Sequence, residues 1–460
     1  MKTRRFTVNA LGPWVLVFLW MGMSAVRAAE IEPRSVEQLG SDLTPMGSTR
    51  AGSADGAIPA WDGGIQEPPP SYRPGMHHPD PFPDDAILFT ITAANMEKYR
   101  EKLGTGTQAM LQKYPDTYKL NVYPSRRTAS YPQRVYDAIR SNARSARISE
   151  DGNGVSGAMI TSPFPFPKSG VECIWNHKLR YQGETLERTV AQVTPQRNGD
   201  YTVVELEEQI EFDYTRQDVT LENVGNRYSE LMQTIVSPPR LAGRILLVHE
   251  TLDQIKEPRQ AWTYNPGQRR VRRAPNVAYD NPGTASDGLR TNDNFDLFNG
   301  SPDRYDWKLI GLREVYVPYN DYRLHSERIK LKDLVQPGHL NPDYMRWELH
   351  RVWVVEATLK PGVSHIYKRR TFYFDEDSWG ILLVDHYDGR DQLWRVGEGH
   401  TINYYEVPTV AYTVEVIHDL QAGRYLALGM KNEEKMQVYN GSHFPDAYFT
   451  PAGMRTQGRR

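Results

Sequence analysis

The sequence lacks most features that would identify a disulfide-stabilised protein or a nucleic-acid binder. It has one cysteine, Cys173, in 460 residues, so no intrachain disulfide, paired-cysteine redox centre or multi-cysteine zinc site can form. Its 55 lysines and arginines against 57 aspartates and glutamates give a formal net charge of -2. The chain therefore has no general electrostatic attraction for nucleic acid, and an anionic partner would have to meet a local basic patch.

The motifs of several enzyme classes are also absent. The sequence has no Gly-x-Ser-x-Gly elbow, no His-Glu-x-x-His motif, no Walker loop and no Rossmann glycine fingerprint. We therefore predict no catalytic residue, no cofactor and no metal site, while a hydrolase built on scattered histidines and aspartates stays open. Asp375, Glu376 and Asp377 resemble a cation-binding cluster, but they precede Ser378 and Gly380 and are interpreted as a solvated hairpin turn.

Long hydrophobic runs are absent after the N-terminus. Lys2, Arg4 and Arg5 precede an apolar stretch over residues 10–23, and Ala28 stands where signal peptidase requires a small residue. The stretch is shorter than the ~20 residues that cross a bilayer, so a retained anchor is the weaker interpretation. We predict that residues 1–28 are a cleaved signal peptide, that the mature chain begins at Ala29, and that it works in the periplasm.

The position of the single cysteine indicates whether the exported chain is lipidated. Cys173 lies too far into the chain to be the lipidated cysteine of a lipoprotein, so we predict that the protein is not one. Its apolar neighbours Val171, Ile174 and Trp175 indicate that Cys173 is buried. We predict that it is a strand residue, directly before the strand predicted over residues 175–181.

Composition and periodicity divide the mature chain into three zones. Residues 29–169 are rich in proline and glycine and are predicted to form an irregular wrap with covering helices at about 92–103, 107–114 and 132–146. From residue 170 to residue 424 apolar residues recur with a period of two, although residues 221–236 are compatible with a helix. Residues 425–460 are predicted to form an irregular tail. The predicted fold is mainly β, a large curved antiparallel sheet or half-open barrel covered by a few helices.

The strand-rich zone carries many aromatic side chains. Packing on a pleated surface explains most of them. A sheet of this size also needs a covering layer, and one face could line an apolar cavity beneath that layer. The candidate ligand-binding residues are Trp262, Tyr264, Trp307, Trp353, Tyr373 and Trp394.

An arginine-rich run follows the turn Asn265-Pro266-Gly267. In a strand, Arg270 and Arg272 share one face, while Arg269 and Arg273 share the other. One interpretation is an edge strand that charge protects from pairing with another chain. The other is a docking patch, formed by these four arginines, for phospholipid headgroups or an acidic partner.

Several motifs resemble the signatures of a known family. They are Ile58-Pro59-Ala60-Trp61-Asp62-Gly63-Gly64, Phe164-Pro165-Phe166-Pro167, Ile174-Trp175-Asn176-His177, the run over residues 259–275, the run over residues 296–307, and Tyr316-Val317-Pro318-Tyr319-Asn320. They resemble an exported family of Gram-negative bacteria that is classified as a domain of unknown function. That family is similar to the outer-membrane lipoprotein-sorting carriers of the LolA/LolB-like superfamily, and the resemblance covers nearly the whole mature chain.

The resemblance implies a half-open barrel whose apolar concave side holds a lipid or an acyl chain in the periplasm. It also implies an envelope partner, either an efflux-type transporter or an outer-membrane protein. The chain is about twice as long as a lipoprotein carrier, and its proline-rich N-terminal wrap has no counterpart there. The predicted function is a periplasmic carrier or binding protein for a lipid or another hydrophobic molecule, and the alternative is a hydrolase that acts on a hydrophobic substrate.

Overall fold

The computed structural model describes residues 34–275, 277 and 279–458. The predicted signal peptide and its cleavage site lie outside the described residues. Within those ranges, none of the helices combines the length and the apolar character needed to cross a membrane.

Most of the regular structure is extended. The strands are β1 (Phe89–Ile91), β2 (Leu120–Val122), β3 (Arg147–Ile148), β4 (Val155–Ser156), β5 (Thr185–Val193), β6 (Val203–Glu211), β7 (Arg227–Ser237), β8 (Ile245–Thr251), β9 (Gln260–Asn265), β10 (Arg270–Arg273), β11 (Tyr305–Pro318), β12 (Trp347–Leu359), β13 (Arg369–Asp375), β14 (Ile381–Tyr387), β15 (Leu393–Tyr404), β16 (Thr409–Asp419), β17 (Arg424–Met430) and β18 (Val438–Tyr439).

The helices are few and short. The α-helices are α1 (Thr105–Lys113), α2 (Gln133–Ser145), α3 (Gly170–Lys178), α4 (Tyr322–His325), α5 (Leu331–Leu334) and α6 (Pro451–Gln457). Single 3₁₀ turns or short 3₁₀ helices occupy Val36–Gln38, Met96–Lys102, Asp213–Thr215, Asn292–Asn294, Pro302–Arg304 and Pro342–Tyr344.

One sheet of 16 strands organises the molecule. Its main path runs antiparallel from β11 through β12, β13, β14, β15, β16, β17, β5, β6, β7, β8 and β9 to β10. Strands β1 and β2 join it through a single parallel bridge to β12, and β18 pairs with β5. Strands β10 and β11 end the path without pairing to each other among the described residues, so the sheet is not closed. The predicted fold class is confirmed.

Both faces of the sheet are covered, and the two faces have different coverings. The inner face is the one that packs against α2, α3 and the chain between β10 and β11, with Val355, Phe372 and Ile402 in its core. The outer face packs against α1 and against residues 319–345, and further along the sheet against α6. Because both faces are covered, neither face of β14, β16 or β17 meets water, and these strands are buried along almost their whole length.

Three local predictions are wrong. The predicted strand over residues 175–181 falls mostly in helix α3, where Ser169 caps the first turn by accepting from the Glu172 N–H at 3.4 Å. Cys173 is buried as predicted, but in that helix. Much of the segment 221–236 forms strand β7, because its apolar residues pair with both β6 and β8. The tail is not irregular throughout, since β17 completes the sheet and α6 packs on its outer face.

The turn at Asp375, Glu376 and Asp377 is buried rather than solvated. Arg127 pairs with Asp377 at 2.7 Å and Arg34 pairs with Glu376 at 2.9 Å. Both arginines come from the N-terminal wrap, so this turn anchors the wrap to the sheet. The turn is hidden because a segment remote in sequence folds over it.

Candidate functional site

A long connection roofs part of the inner face. We call residues 279–299, between β10 and β11, the strap. Its backbone folds back on itself through the Gly283 N–H, which donates to the Arg290 carbonyl at 2.8 Å. Ion pairs hold it to the sheet and to α3: Asp293 with Arg370 at 2.5 Å, and Asp296 with Arg180 at 2.6 Å. The strap is therefore a fixed roof and not a loose loop.

Three connected spaces lie between the strap and strands β5 to β9. The outer groove has a volume of about 340 Å³ and opens to solvent. A neck of about 30 Å³ shares Gln233, Leu246 and Thr284 with the outer groove. An inner cavity of about 80 Å³ shares Leu231 and Phe295 with the neck. The shared walls make one path from solvent to the interior.

The period of two along β7 and β8 builds the floor of this path. Leu231, Gln233 and Ile235 of β7 face it in turn, and so do Leu246 and Val248 of β8. The intervening residues point to the outer face, where Met232 and Leu247 pack with Phe449 and Met454. The floor is thus largely apolar where the groove is wide.

Charged and apolar side chains both line the inner cavity. Three ion pairs surround it: Arg188 with Glu208 at 2.6 Å, Arg180 with Asp296 at 2.6 Å, and Arg259 with Glu250 at 2.5 Å. Burial, and then the charge of Asp296, raise the pKa of Glu415, which accepts from the Leu297 N–H at 2.9 Å. Burial also lowers the pKa of Lys178 to about 7.

The predicted arginine patch lies beside the outer groove. All four of Arg269, Arg270, Arg272 and Arg273 are exposed, on or next to the edge strand β10. The register aligns Leu246 with Thr263 and Thr263 with Arg272, so Arg272 shares the face of the groove floor. Arg270 lies on that same face, two residues away. The docking role of these residues stays a prediction.

The six predicted aromatic residues are dispersed. Tyr264 borders the outer groove, but its ring packs on the outer face of the sheet with Ile245 and Leu247, and its hydroxyl donates to the Gly458 carbonyl at 3.1 Å. Trp262, its neighbour on β9, points to the outer face and packs on His249 with ring centroids 4.9 Å apart. Tyr373 also belongs to the outer face and donates its hydroxyl to Asp385 Oδ2 at 3.1 Å.

The other three aromatic residues lie farther along the sheet. Trp353 is buried and stacks on Trp379 at 6.2 Å. Trp307 packs on Phe298 at 5.4 Å, and Trp394 donates its indole N–H to Asp419 Oδ2 at 3.0 Å. The structure does not gather the six residues into one site, and their ligand-binding role stays a prediction.

A second group of chemical interest lies under the N-terminal wrap. His350, Asp375 and Asp377 place one potential ligand atom each within 4.8 Å of one another, which is a spacing a metal ion could use. However, Arg127 already binds both oxygens of Asp377, from Nε at 2.8 Å and from Nη2 at 2.7 Å. The Ser378 hydroxyl donates to Asp375 at 2.6 Å. These contacts explain the group as an anchor, and we assign no metal to it.

Sequence reasoning missed the residues that form the groove. Gln233, Leu246 and Arg290 are central to it, and none of them stands in a recognisable motif. The alternation of β8 could have indicated that Leu246 and Val248 share a face. Nothing local indicates that the strap returns over that face, because the strap contacts strands distant in sequence.

The fold and the groove define a protein with an unclosed antiparallel sheet and a roofed apolar groove on one face. The chain belongs to the family described as "Protein of unknown function (DUF1329)", whose model matches residues 90–455. An uncharacterized protein of Pseudomonas aeruginosa is 50% identical over 439 residues, which cover 95% of each chain. The family resemblance found in the sequence motifs is confirmed.

Three solved structures are similar over part of the chain. One is described as a putative outer membrane lipoprotein-sorting protein domain from Vibrio parahaemolyticus, with 13% identity, a TM-score of 0.43, and coverage of 62% of this chain and 98% of that one. A DUF1329 family protein from Desulfovibrio piger has 16% identity, a TM-score of 0.41, and coverage of 59% and 92%. A LolA superfamily protein from Nitrosomonas europaea has 13% identity, a TM-score of 0.35, and coverage of 60% and 93%.

Proposed function

We propose that the protein is a periplasmic carrier or binding protein for a hydrophobic molecule, which it holds in the outer groove beneath the strap. The observation that carries this proposal is the roofed groove itself. Its volume of about 340 Å³ falls within the range of small-molecule sites, and Ile235, Leu241 and Leu246 give it apolar walls. The predicted signal peptide supports a place in the periplasm. The proposal includes delivery to or from an envelope transporter or outer-membrane protein.

Apolar burial supplies part of the affinity that a carrier needs. Each methylene removed from water contributes about 0.8 kcal/mol, so eight of them contribute about 6 kcal/mol before the cost of association. A micromolar complex requires about 8 kcal/mol after that cost, so tight binding needs polar contacts in addition to the apolar walls. The open side of the groove allows this exchange without unfolding of the strap.

The walls of the groove do not favour the hydrolase alternative. A hydrolase needs a nucleophile within hydrogen-bond reach of a base, and the base is most often a histidine. Neither histidine nor cysteine lines the outer groove, the neck or the inner cavity within the described ranges. The carboxylates of Glu250 and Asp296 are engaged by arginines.

Blocking the groove tests the proposal. Thr263 is exposed and its side chain faces the groove, so Thr263→Trp places an indole in the space that the cargo would fill. The matched control is Thr358→Trp, on an exposed position of β12. The assay is fluorescence titration of lipid-stripped protein with the neutral apolar dye Nile red, followed by displacement with hexadecanol.

We expect saturable binding by the wild type and by Thr358→Trp, and at least a tenfold weaker affinity for Thr263→Trp. Wild-type protein that binds no dye, or equal affinity in both variants, would overturn the proposal. Release of product from a fatty ester would favour the hydrolase instead.

A further inference from the structure

One buried arginine of the strap has no ion-pair partner among the described residues. Arg290 is 4% exposed, yet no ion pair and no side-chain hydrogen bond join its guanidinium to any described residue. Its Nε is buried without an acceptor, and the nearest recorded ring contact is with Phe295, at 5.6 Å from the guanidinium carbon. A guanidinium stays protonated in proteins, so this is a buried charge without compensation.

The other buried arginines nearby are all neutralised. They pair as Arg180 with Asp296, Arg188 with Glu208, Arg259 with Glu250, Arg370 with Asp293, and Arg395 with Asp419. Three carboxylates influence Arg290 from beyond ion-pair distance, namely Glu415, Glu208 and Asp293. Two of these serve other arginines, and Glu415 accepts from a backbone N–H. None of them is dedicated to Arg290.

Arg290 also occupies a position that a ligand would reach. It lines the neck, whose other walls include Leu231, Leu246 and Val248 and the ion pair of Glu250 with Arg259. The neck joins the apolar outer groove through shared walls, so an alkyl chain in the groove would bring one of its ends to the neck. An anionic end would find a buried, unpaired cation there, where low polarity strengthens the attraction.

The rim of the outer groove is positively charged, like Arg290 in the neck. Arg244 lines the outer groove, and Arg270 and Arg272 project from β10 on the same face of the sheet. None of the three has an ion pair within the part of the chain that the structure describes. A cationic rim raises the local concentration of an anionic ligand and speeds its association.

Resting on the proposed carrier function, we propose that the cargo is an anionic amphiphile, an apolar chain that ends in a carboxylate or a phosphate, and that Arg290 binds the anionic end in the neck. The chain of the cargo lies in the outer groove.

The test compares cargoes that differ in one end only. Palmitate, hexadecyl phosphate and hexadecanol displace Nile red from wild-type protein, from Arg290→Met and from Arg127→Met. We expect the wild type to bind the two anions at least tenfold more tightly than hexadecanol, and Arg290→Met to lose this preference with hexadecanol unchanged. The relative affinities of palmitate and hexadecyl phosphate identify which oxyanion the site prefers.

Stability separates a binding role from a structural one. Because Arg290 has no partner, Arg290→Met should leave the melting temperature of the ligand-free protein unchanged or raised. Arg127→Met, remote from the groove, breaks the buried pair with Asp377 and should lower the melting temperature while keeping the preference for anions. Gly283→Ala keeps the charge but places a Cβ 2.9 Å from the Arg290 guanidinium carbon, so it should weaken anion binding by displacing that group.

The outcomes distinguish the two proposals. Equal binding of palmitate and hexadecanol by the wild type would overturn the anionic cargo and leave the carrier standing. A lower melting temperature for Arg290→Met together with unchanged palmitate affinity would show that Arg290 is structural. A wild type that binds neither dye nor any C16 compound would overturn the carrier itself.

Discussion

Breaking the ion pair between Arg127 and Asp377 should detach the N-terminal wrap from the sheet. The two side chains are 3% and 5% exposed, and they meet through two hydrogen bonds of 2.7 and 2.8 Å. Burial alone would raise the pKa of Asp377, but the Arg127 guanidinium holds it below its ordinary value. The carboxylate therefore depends on its partner for its charge.

The two single substitutions should differ in cost. Removing one partner of a buried pair costs about 3 to 5 kcal/mol, because the other charge is left unpaired. Asp377→Asn should fall near about 3 kcal/mol, because Arg127 keeps the neighbouring carboxylate of Asp375, whose pKa the charge of Asp377 no longer raises. Arg127→Met should approach about 5 kcal/mol, because it leaves two carboxyl groups without their cation.

Urea unfolding at neutral pH measures these costs, and limited proteolysis of the exposed loop at residues 54–57 reports detachment of the wrap. Arg126→Met at the adjacent position provides the control. The Arg126 side chain is 43% exposed, so its ion pair with Asp85 should stabilise the folded protein by less than about 1 kcal/mol. The reasoning is refuted if Arg127→Met costs no more than Arg126→Met, or if Asp377→Asn proves the costlier change.

Three further predictions concern pH, packing and the arginine strand. Burial opposes the charge of His400, but Asp321 at 3.0 Å raises its pKa from 6.5 to about 9. This stabilisation is complete below pH 6.5 and is lost as the pH rises through 9. The unfolding free energy of the wild type, relative to that of His400→Gln, should therefore fall by up to about 3 kcal/mol across that window in urea titrations. A difference that stays constant with pH would contradict this prediction. Trp353→Ala should cost about 3 to 5 kcal/mol in thermal unfolding and leave Nile red uptake unchanged, since the residue is buried against Trp379; loss of uptake alone would place it in the site instead. Replacing Arg270 and Arg272 with Ser should weaken binding to anionic liposomes and reduce its salt dependence with folding unchanged, and unaltered binding would leave the strand as a charged edge only.

The main elements of the sheet could be predicted because their signal is local. Strands β12, β13 and β14 lie within residues 170–424, the zone in which a period of two in apolar residues predicts strands. Helix α2 lies within its predicted range for the same reason, since Val135, Ala138 and Ile139 recur at helical spacing and are buried. These patterns depend on neighbours in sequence and on little else.

The errors arise where tertiary contacts override local preference. Ile174 and Trp175 favour a strand by residue type, yet the cap at Ser169 and the burial of Ile174 against the inner face accompany a helix there. The pair Ser169 and Glu172 is a capping signal that was available in the sequence. The turn at Asp375 to Asp377 carried no such signal, because its partners Arg34 and Arg127 lie more than two hundred residues away.

The position of the site could be predicted only in part, for a geometric reason. Alternation tells which residues of a strand share a face, but not which face will be roofed. The six ligand-binding aromatic residues are predicted from residue type alone, and the structure places them on both faces of the sheet. The groove depends on the strap, whose course is set by Asp293 and Asp296 pairing with Arg370 and Arg180.

The two interpretations of the arginine strand are compatible once its faces are assigned. Strand β10 ends the sheet, so charge on either face discourages pairing with another chain. Only Arg270 and Arg272 share the groove face, whereas Arg273 pairs in register with Trp262 and lies over its ring at 5.9 Å on the outer face. Replacing Arg269 and Arg273 with Ser removes the same charge from β10 and the turn before it. If the rim attracts an anionic cargo, that control should leave palmitate binding unchanged, while the change at Arg270 and Arg272 slows association. An equal effect of both pairs would mean that the charge acts through the edge as a whole and not through the groove.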